Sequence, residues 1–211
     1  MSENLPTGAE RRTLIVEKQP IILASASPRR RDLLTQAGVS FVVWVPDVDE
    51  ELNPGTPPME AAQVLAERKA RLAAREHPES WVLAADTLVW TEEEILGKPR
   101  DPGDARRMLT LLSGRTHRVT TGFCLGRENG GPWIVDAVTT EVAFRDLSPG
   151  EIEWYIQTGE PFDKAGGYGI QGLGVFLVRE IRGSYTNVVG LPVCEVLEHL
   201  AKAGVIERTV G

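Results

Sequence analysis

The sequence has few residues that could hold a metal through sulfur or imidazole. Its 211 residues include two cysteines, Cys124 and Cys194, and three histidines, His77, His117 and His199. The cysteines form no CxxC pair and the histidines are scattered, so a His/Cys zinc site is not predicted. Two free thiols in a reducing cytosol are the simplest interpretation of the cysteines, and a disulfide between them is the alternative.

Long apolar runs and excess positive charge are also absent. No uncharged apolar run approaches the roughly 18 residues of a membrane span. The N-terminal stretch MSENLPTGAERRTLIVEKQ lacks the apolar core of an export signal, so we expect a cytoplasmic protein that does not bind membranes. Lys and Arg number 23 against 30 Asp and Glu, which gives a net charge of −7. This balance argues against a general nucleic-acid binder but allows a local basic pocket.

Apolar periodicity and turn residues predict one folded domain over residues 20–206, preceded by a flexible tail at 1–19. Strands are predicted at 20–27, 39–50, 81–90, 116–126, 132–144 and 174–182. Helices are predicted at 28–37, 58–76, 102–113, 148–158 and 190–203. Because strands and helices mix without strict alternation, we expect an α/β fold with a mixed, curved sheet flanked by helices.

The first predicted helix carries its positive charge at the unfavourable end. Ser27 is the predicted N-cap and Pro28 the first helical residue, so Arg29, Arg30 and Arg31 fall in the first turn. The helix dipole disfavours cations there, and the free N–H groups of the first turn favour anions. A bound phosphate would compensate for both.

Carboxylates form a second unusual feature. Asp86 interrupts the apolar strand at 81–90, where it could cap a turn at the strand end or serve as a metal ligand or general base. The cluster of Asp49, Glu50 and Glu51 could be a solvated acidic loop. Alternatively, with Asp86 nearby, these oxygens could hold Mg²⁺ or Mn²⁺.

Two lysines and a glycine-rich loop complete the candidate set. Lys69 falls on the apolar stripe of its predicted helix, so it either extends to solvent or points into a pocket. Lys98 is uninformative alone. GYGIQG (167–172) matches G-x-G-x-x-G, but it does not follow a strand and open a helix, so dinucleotide binding is rejected. It is either a flexible loop or a close approach to a ligand, for which Gln171 offers an amide to a base edge.

Together, these cations, carboxylates and glycines favour a site for a phosphorylated small molecule and a divalent metal. Seven motifs in order then resemble the Maf family of nucleoside triphosphate pyrophosphatases: LASASPRR, LAERKA, AADT, LGKPRD, LSGRTHRV, DKAGGYGIQG and GSYTNVVGLP. The resemblance covers residues 21–200. AADT and DKAGGYGIQG are similar to the branch that acts on dTTP and UTP.

The resemblance implies an elongated, curved sheet, a homodimer, and hydrolysis of a nucleoside triphosphate to the monophosphate and pyrophosphate, which cleans the nucleotide pool. The alternatives are a modified or purine substrate such as 7-methyl-GTP, and a non-catalytic regulator of septation. It further implies a divalent cation (Mg²⁺, Mn²⁺ or Co²⁺) held by Glu50 and Asp86. Asp86 is the implied proton acceptor, the other catalytic residues are Lys69, Lys98 and Glu50, and the substrate-binding or base-selecting residues are Ser25, Arg29, Arg30, Thr87 and Gln171. Arg31 matches no functional position, so we expect it to face solvent.

Overall fold

A computed structural model describes residues 15–53 and 55–208 of the chain. The strands are Ile15–Glu17 (β1), Ile21–Ala24 (β2), Val42–Trp44 (β3), Trp81–Trp90 (β4), Ile95–Leu96 (β5), Thr116–Gly126 (β6), Ile134–Phe144 (β7), Val178–Arg182 (β8) and Ile206–Arg208 (β9). The helices are Pro28–Gln36 (α1), Pro58–Glu76 (α2), Pro102–Leu112 (α3), Pro149–Gln157 (α4), Tyr185–Val189 (α5) and Val193–Lys202 (α6). Short 3₁₀ turns lie at Glu160–Asp163, Ala165–Gly167 and Gly172–Phe176.

Seven of the described strands form one mixed sheet. Its order is β3-β2-β4-β6-β7-β8, with β5 also paired to β4. Strands β3, β2 and β4 run parallel, whereas β4, β6, β7 and β8 are antiparallel neighbours. Helices α1 and α6 pack with the apolar core on one face of β2 and β4, and α2 packs on the other face. The predicted α/β fold with a mixed sheet flanked by helices is confirmed.

The sheet has a gap along one edge of β4. On that edge, β2 pairs with β4 as far as Ala24 opposite Ala84, and the pairing of β4 with β5 starts at Val89, opposite Leu96. Residues 85–88 therefore have no strand neighbour on this side within the described chain, although β6 pairs with them on the other. The chain leaves β2 directly into the start of α1, so this helix N-terminus and the gap lie together.

Helix α2 lies very close to the sheet at one point. A Cβ atom added to Gly122 on β6 would be 2.4 Å from the backbone of Ala62. The face of α2 that meets the sheet is built of fully buried alanines, among them Ala66, Ala70 and Ala73. Gly122 is the cross-strand partner of Asp86. The small residues on α2 and β6 thus let the two elements pack closely. Because β6 pairs with β4, this packing brings Lys69 on α2 close to Asp86 on β4.

Four predicted elements differ from the structure by three or more residues. The strand predicted at 20–27 ends at Ala24, and the strand predicted at 174–182 begins at Val178, after the 3₁₀ turn at Gly172–Phe176. The strand predicted at 39–50 is limited to Val42–Trp44, because Pro46 lacks an N–H and the acidic residues that follow pair with no strand among the described residues.

The helix predicted at 190–203 begins later, as α6 at Val193–Lys202, and the short helix α5 at Tyr185–Val189 was not predicted. Gly190, with φ +133°, and Pro192 separate the two helices, because neither conformation continues an α-helix.

The chain start also differs from the expected tail. Residues 1–14 lie outside the described residues, but β1 falls within the predicted tail at 1–19 and pairs antiparallel with β9. Ile15 is 8% exposed and belongs to the main apolar core, which explains why this segment pairs.

Cys124 is buried and Cys194 exposed, and both are free, as the simplest interpretation predicted.

Side chains cap the N-termini of α3 and α4 but not that of α1. Asp101 accepts a hydrogen bond from the backbone N–H of Asp104 at 2.8 Å, and Ser148 forms a capping box with Glu151. Ser27 stands at the N-cap of α1, but its side chain makes no capping bond. The N-terminus of α1 therefore keeps N–H groups that no side chain caps, at the edge of the sheet gap.

Candidate active site

The nine residues singled out from the sequence line one cavity of about 450 Å³ at the sheet gap. They come from seven parts of the fold: the β2–α1 connection, the first turn of α1, the loop after β3, helix α2, strand β4, the loop after β5 and the glycine-rich loop. The nine are Ser25, Arg29, Arg30, Glu50, Lys69, Asp86, Thr87, Lys98 and Gln171.

Lys69 lies between two carboxylates. Its Nζ atom is 2.6 Å from Oδ1 of Asp86 and 2.7 Å from Oε1 of Glu50. The side chains of Lys69 and Asp86 are 14% and 13% exposed, whereas that of Glu50 is 63% exposed. The hydrogen bond from Lys69 holds the pKa of Glu50 below its usual value, against a smaller opposing effect of burial. Lys69 therefore points into the site, and the alternative that it merely extends to solvent is contradicted.

The structure also decides between the alternatives for the acidic residues. Asp86 lies inside β4 opposite Gly122, so it does not cap a turn at the strand end. Of the acidic cluster, Glu50 lines the cavity. Asp49 and Glu51 instead use their backbone carbonyl oxygens to accept hydrogen bonds from Arg68, at 3.1 and 2.7 Å.

Arg30 directs three donors at the protein. It donates from Nε to the carbonyl oxygen of Gly190 at 2.8 Å, and from its terminal nitrogens to Oγ of Ser25 at 3.1 Å and Oγ1 of Thr87 at 3.0 Å. Burial lowers the pKa of this guanidinium from its ordinary value, opposed by the charge of Asp86. Since guanidinium has five N–H groups, Arg30 can organise the cavity wall and still donate to a ligand.

Arg29 and Arg31 have different surroundings, although both lie in the first turn of α1. Arg29 lines the cavity and donates to Oδ2 of Asp163 at 3.0 Å. Arg31 is exposed and does not line the cavity, which confirms that it faces solvent. Of the three arginines in the first turn of α1, Arg29 and Arg30 therefore line the cavity.

Lys98 and Gln171 are exposed at the cavity. Within residues 15–53 and 55–208, the structure shows no hydrogen bond or ion pair for either side chain. They are therefore free to contact a ligand, whereas the other cations of the cavity have protein partners.

Comparison with known sequences identifies the family. The sequence model described as "Maf-like protein" matches residues 20–203. The chain belongs to the Maf-like protein family. A relative from Geobacter sp. (strain M21), named dTTP/UTP pyrophosphatase, is 50% identical over 192 residues, which cover 90% of this chain and 99% of the relative. A relative of the same name from Myxococcus xanthus (strain DK1622) is 50% identical over 188 residues, 87% of this chain and 92% of the relative.

Solved structures match the Maf-like chain less closely. A HAM1 protein from Coxiella burnetii is 19% identical, with a TM-score of 0.40, and the match covers 60% of this chain and 73% of that one. The Staphylococcus aureus Ham1 protein is 17% identical, with a TM-score of 0.44 and coverage of 76% and 80%.

The cavity of this Maf-like chain is basic although the whole chain is acidic. Five cations line it, Lys164 in addition to Arg29, Arg30, Lys69 and Lys98, against the three carboxylates Glu50, Asp86 and Asp163. Cavity walls lined mostly by one sign of charge concentrate ligands of the opposite sign. The local basic pocket that the overall charge of −7 allowed is therefore present.

Three residues of the Maf-like site were not predicted from the sequence. Asp163 and Lys164 line the cavity, and Asn187 supports its wall. Asp163 joins Arg29 to Lys164, whose Nζ lies 2.6 Å from Oδ1 of Asp163. Asn187 is fully buried; its amide accepts from the N–H of Thr121 and donates to Val119 and Thr140. The DKAGG and GSYTN motifs contained these residues, but only the long-range pairing shows what they contact.

No helix among the described residues is long and apolar enough to cross a membrane. Within the same residues, no group of three or more His, Cys, Asp or Glu side chains is placed to hold a metal ion. Glu50 and Asp86, the carboxylates expected to hold a metal ion, both form an ion pair with Lys69.

Proposed function

We propose that this Maf-like protein is a pyrophosphatase that hydrolyses dTTP and UTP to the nucleoside monophosphate and pyrophosphate. The observation that carries the proposal is the Asp86–Lys69–Glu50 arrangement in a basic cavity beside an uncapped helix N-terminus. The relatives named dTTP/UTP pyrophosphatase, about half identical over most of the chain, support the choice of reaction and nucleotides.

The cavity can neutralise the triphosphate before water attacks. Lys69 and Lys98 are point charges for phosphate oxygens, and Arg30 adds planar donors. The N–H groups at the start of α1 offer further anion contacts. Such charge stabilisation is the main requirement of phosphoryl-type transfer, because the leaving pyrophosphate needs no covalent help.

Asp86 is the proposed proton acceptor. Lys69 donates to Oδ1 of Asp86, and no described residue donates to Oδ2, which leaves that oxygen for a water proton. The water oxygen bonds to the α-phosphorus, the bond from that phosphorus to the α,β-bridging oxygen breaks, and pyrophosphate leaves. Lys69 would hold the carboxylate in position during this step.

The donor set also fits a divalent cation. Mg²⁺ in nucleotide sites is held by one or two carboxylates, substrate phosphates and water. Glu50 and Asp86 would supply the carboxylates, since both reach the same ammonium group. A bound Mg²⁺, Mn²⁺ or Co²⁺ would polarise the phosphate and lower the pKa of bound water.

Base choice is assigned to Arg29, Thr87 and Gln171, which line the same cavity. The free amide of Gln171 can both donate to and accept from a base edge. We further propose a cytoplasmic homodimer with one domain at residues 20–206, on the resemblance to the family. Sedimentation of the purified chain tests the dimer.

A pyrophosphate-release assay over a nucleotide panel tests the function, with Mg²⁺, Mn²⁺ and Co²⁺ in turn. We expect dTTP and UTP to be cleaved fastest. Faster cleavage of 7-methyl-GTP or ITP would show that the base assignment is wrong. No release from any nucleotide with any metal would favour the non-catalytic septation regulator.

Asp86→Asn is the matched chemical test. We expect kcat to fall by roughly 10²–10⁴-fold, because an amide cannot accept the water proton at neutral pH. The melting temperature should stay close to wild type. Asp136→Asn, a half-exposed carboxylate paired with His199 outside the cavity, is the control and should keep full activity. Near-wild-type turnover by Asp86→Asn would refute the assignment.

A further inference from the structure

A small set of hydrogen bonds fixes the glycine-rich loop that presents Gln171. The carboxylate of Glu160 accepts from the backbone N–H of Leu173 at 2.9 Å through Oε1 and of Gly174 at 3.3 Å through Oε2. The hydroxyl of Tyr155 donates to Oε2 of Glu160 at 3.3 Å and accepts from the N–H of Gly169 at 3.2 Å. Both ends of the segment 169–174 are thus tied to one carboxylate–phenol pair.

The backbone of this loop packs too closely against the pair to leave room for a side chain at Gly172 or Gly174. A Cβ on Gly174 would lie 2.3 Å from the carbonyl oxygen of Gly169 and 2.7 Å from the Tyr155 hydroxyl. A Cβ on Gly172, whose φ is +67°, would lie 2.7 Å from Oε1 of Glu160. The two ends of the loop therefore touch, and the residues between them form its apex.

The pair itself lies outside the cavity. Gly169, Ile170 and Gln171 line the cavity, whereas Tyr155 and Glu160 do not. Tyr155 is fully buried in α4, and Glu160 opens the turn that follows this helix. The side chains of both residues therefore reach a ligand through the loop. Glu160 also accepts a hydrogen bond from the cavity residue Lys164 at 2.6 Å, but through its backbone carbonyl, which a side-chain substitution keeps.

We propose that Glu160 and Tyr155 are positioning residues for base recognition, which hold the 169–174 loop so that Gln171 meets the base of the nucleotide. This inference rests on the proposed function for its ligand. It separates the cavity into a phosphate half, which includes Arg30, Lys69, Lys98 and Asp86, and a base half, whose geometry depends on the carboxylate of Glu160.

Binding measurements by calorimetry can separate the two halves. The probes are α,β-methylene-UTP, which carries a base and resists cleavage between the α- and β-phosphates, and inorganic tripolyphosphate, which has no base. We expect Glu160→Ala to weaken the UTP analogue about tenfold, because two charge-assisted hydrogen bonds to the loop are lost. Tripolyphosphate should keep its affinity within about twofold, since its binding groups are untouched.

Control variants distinguish positioning from general destabilisation. Glu153→Ala removes a carboxylate from α4 that pairs with Arg106 at 2.9 Å. This control should leave the affinities for the UTP analogue and for tripolyphosphate unchanged. Tyr155→Phe and Glu160→Gln keep most of the packing and should weaken the UTP analogue by less than Glu160→Ala, in the same direction. They also supply the test if Glu160→Ala does not fold.

A double-mutant cycle with Gln171→Ala completes the test. If Glu160 acts through Gln171, Glu160→Ala should add little to the loss already caused by Gln171→Ala. Equal weakening of the UTP analogue and tripolyphosphate, or fully additive losses, would overturn the inference. If the wild-type chain binds the analogue but releases no pyrophosphate from UTP, the proposed function fails while the assignment of the loop stands.

Discussion

The Nζ atom of Lys69 on α2 lies 2.6 Å from Oδ1 of Asp86 on β4, and neither side chain is more than 14% exposed. Removing two charges from water is costly, so such a pair is weak evidence for a stabilising role. The surrounding helix face is otherwise alanine, fully buried at Ala66, Ala70 and Ala73. A charged pair in this position is better explained by the chemistry of the adjoining cavity.

Replacing Lys69 tests that explanation. Lys69→Met leaves Asp86 and Glu50 without their shared cation, so two carboxylates then repel the triphosphate. We expect kcat/KM for UTP to fall by about 10²-fold or more. Lys69→Arg should restore part of the loss because it keeps the charge. Lys18→Met, which breaks the exposed pair between Lys18 and Glu207, should leave activity unchanged.

Gly122 tests whether the close packing of α2 positions this pair. In Gly122→Ala the added methyl would lie 2.4 Å from the backbone of Ala62, so the helix must move away. We expect a loss of about 2 kcal/mol in the free energy of unfolding. A shift of about 1 Å in Lys69 should also lower kcat/KM by roughly 10²-fold.

The control for this substitution is Gly150→Ala. No atom lies within 4 Å of a Cβ added at Gly150, on the exposed first turn of α4. Both stability and activity should stay at wild-type values. Equal behaviour of the two alanine variants would show that the space at Gly122 does not set the position of α2.

Strongly periodic or uniformly apolar segments were predictable from the sequence. Helix α2 at Pro58–Glu76 and strand β4 at Trp81–Trp90 have the bounds that their apolar patterns indicate, because one face or both faces are buried along the whole element. β3 was predicted too long, because Val and aromatic content signals a strand but not whether a partner strand exists. The helix predicted to begin at residue 190 begins at Val193, because the backbone of Gly190, with φ +133°, is not helical, and the apolar pattern does not reveal this.

Several site residues could be predicted because they are locally anomalous: Asp86 in an apolar strand, Lys69 on an apolar helix face, and arginines at a helix start. Lys98, Ser25 and Thr87 have no such local signal and were assigned through the family resemblance. Glu160 and Asn187 carry no such signal. Their importance arises from contacts with residues far along the chain, such as Asn187 with Thr121, and these contacts exist only in the folded structure. Local patterns therefore predicted several residues that line the cavity and missed Glu160 and Asn187, which fix the position of the cavity wall.

The N-cap residues Asp101 and Ser27 should differ in how much stability is lost when each is replaced by alanine. Asp101 accepts from the N–H of Asp104 at 2.8 Å, so Asp101→Ala should lower the free energy of unfolding by about 1 kcal/mol. Ser27 makes no capping bond, so Ser27→Ala should have little effect on stability. Urea denaturation of both variants checks the difference. A cost at Ser27 equal to that at Asp101 would contradict the uncapped start of α1.

His117 makes stability depend on pH. It is 2% exposed, its Nε2 lies 2.6 Å from the hydroxyl of Tyr168, and burial lowers its pKa from 6.5 to about 4. Between these two values the unfolded chain binds a proton that the folded chain does not. Stability should therefore fall as the pH decreases from about 6.5 to 4, by up to about 1.4 kcal/mol per pH unit from this group.

His117→Phe removes the titrating ring while keeping an aromatic side chain against Phe144 and Tyr168. The variant loses the hydrogen bond to Tyr168, so its stability at pH 7 should be lower than that of wild type. Its dependence on pH between about 6.5 and 4 should be shallower by about one proton. Urea denaturation at half-unit pH steps measures both slopes. Parallel curves for the two proteins would show that His117 is protonated in the folded chain over this range.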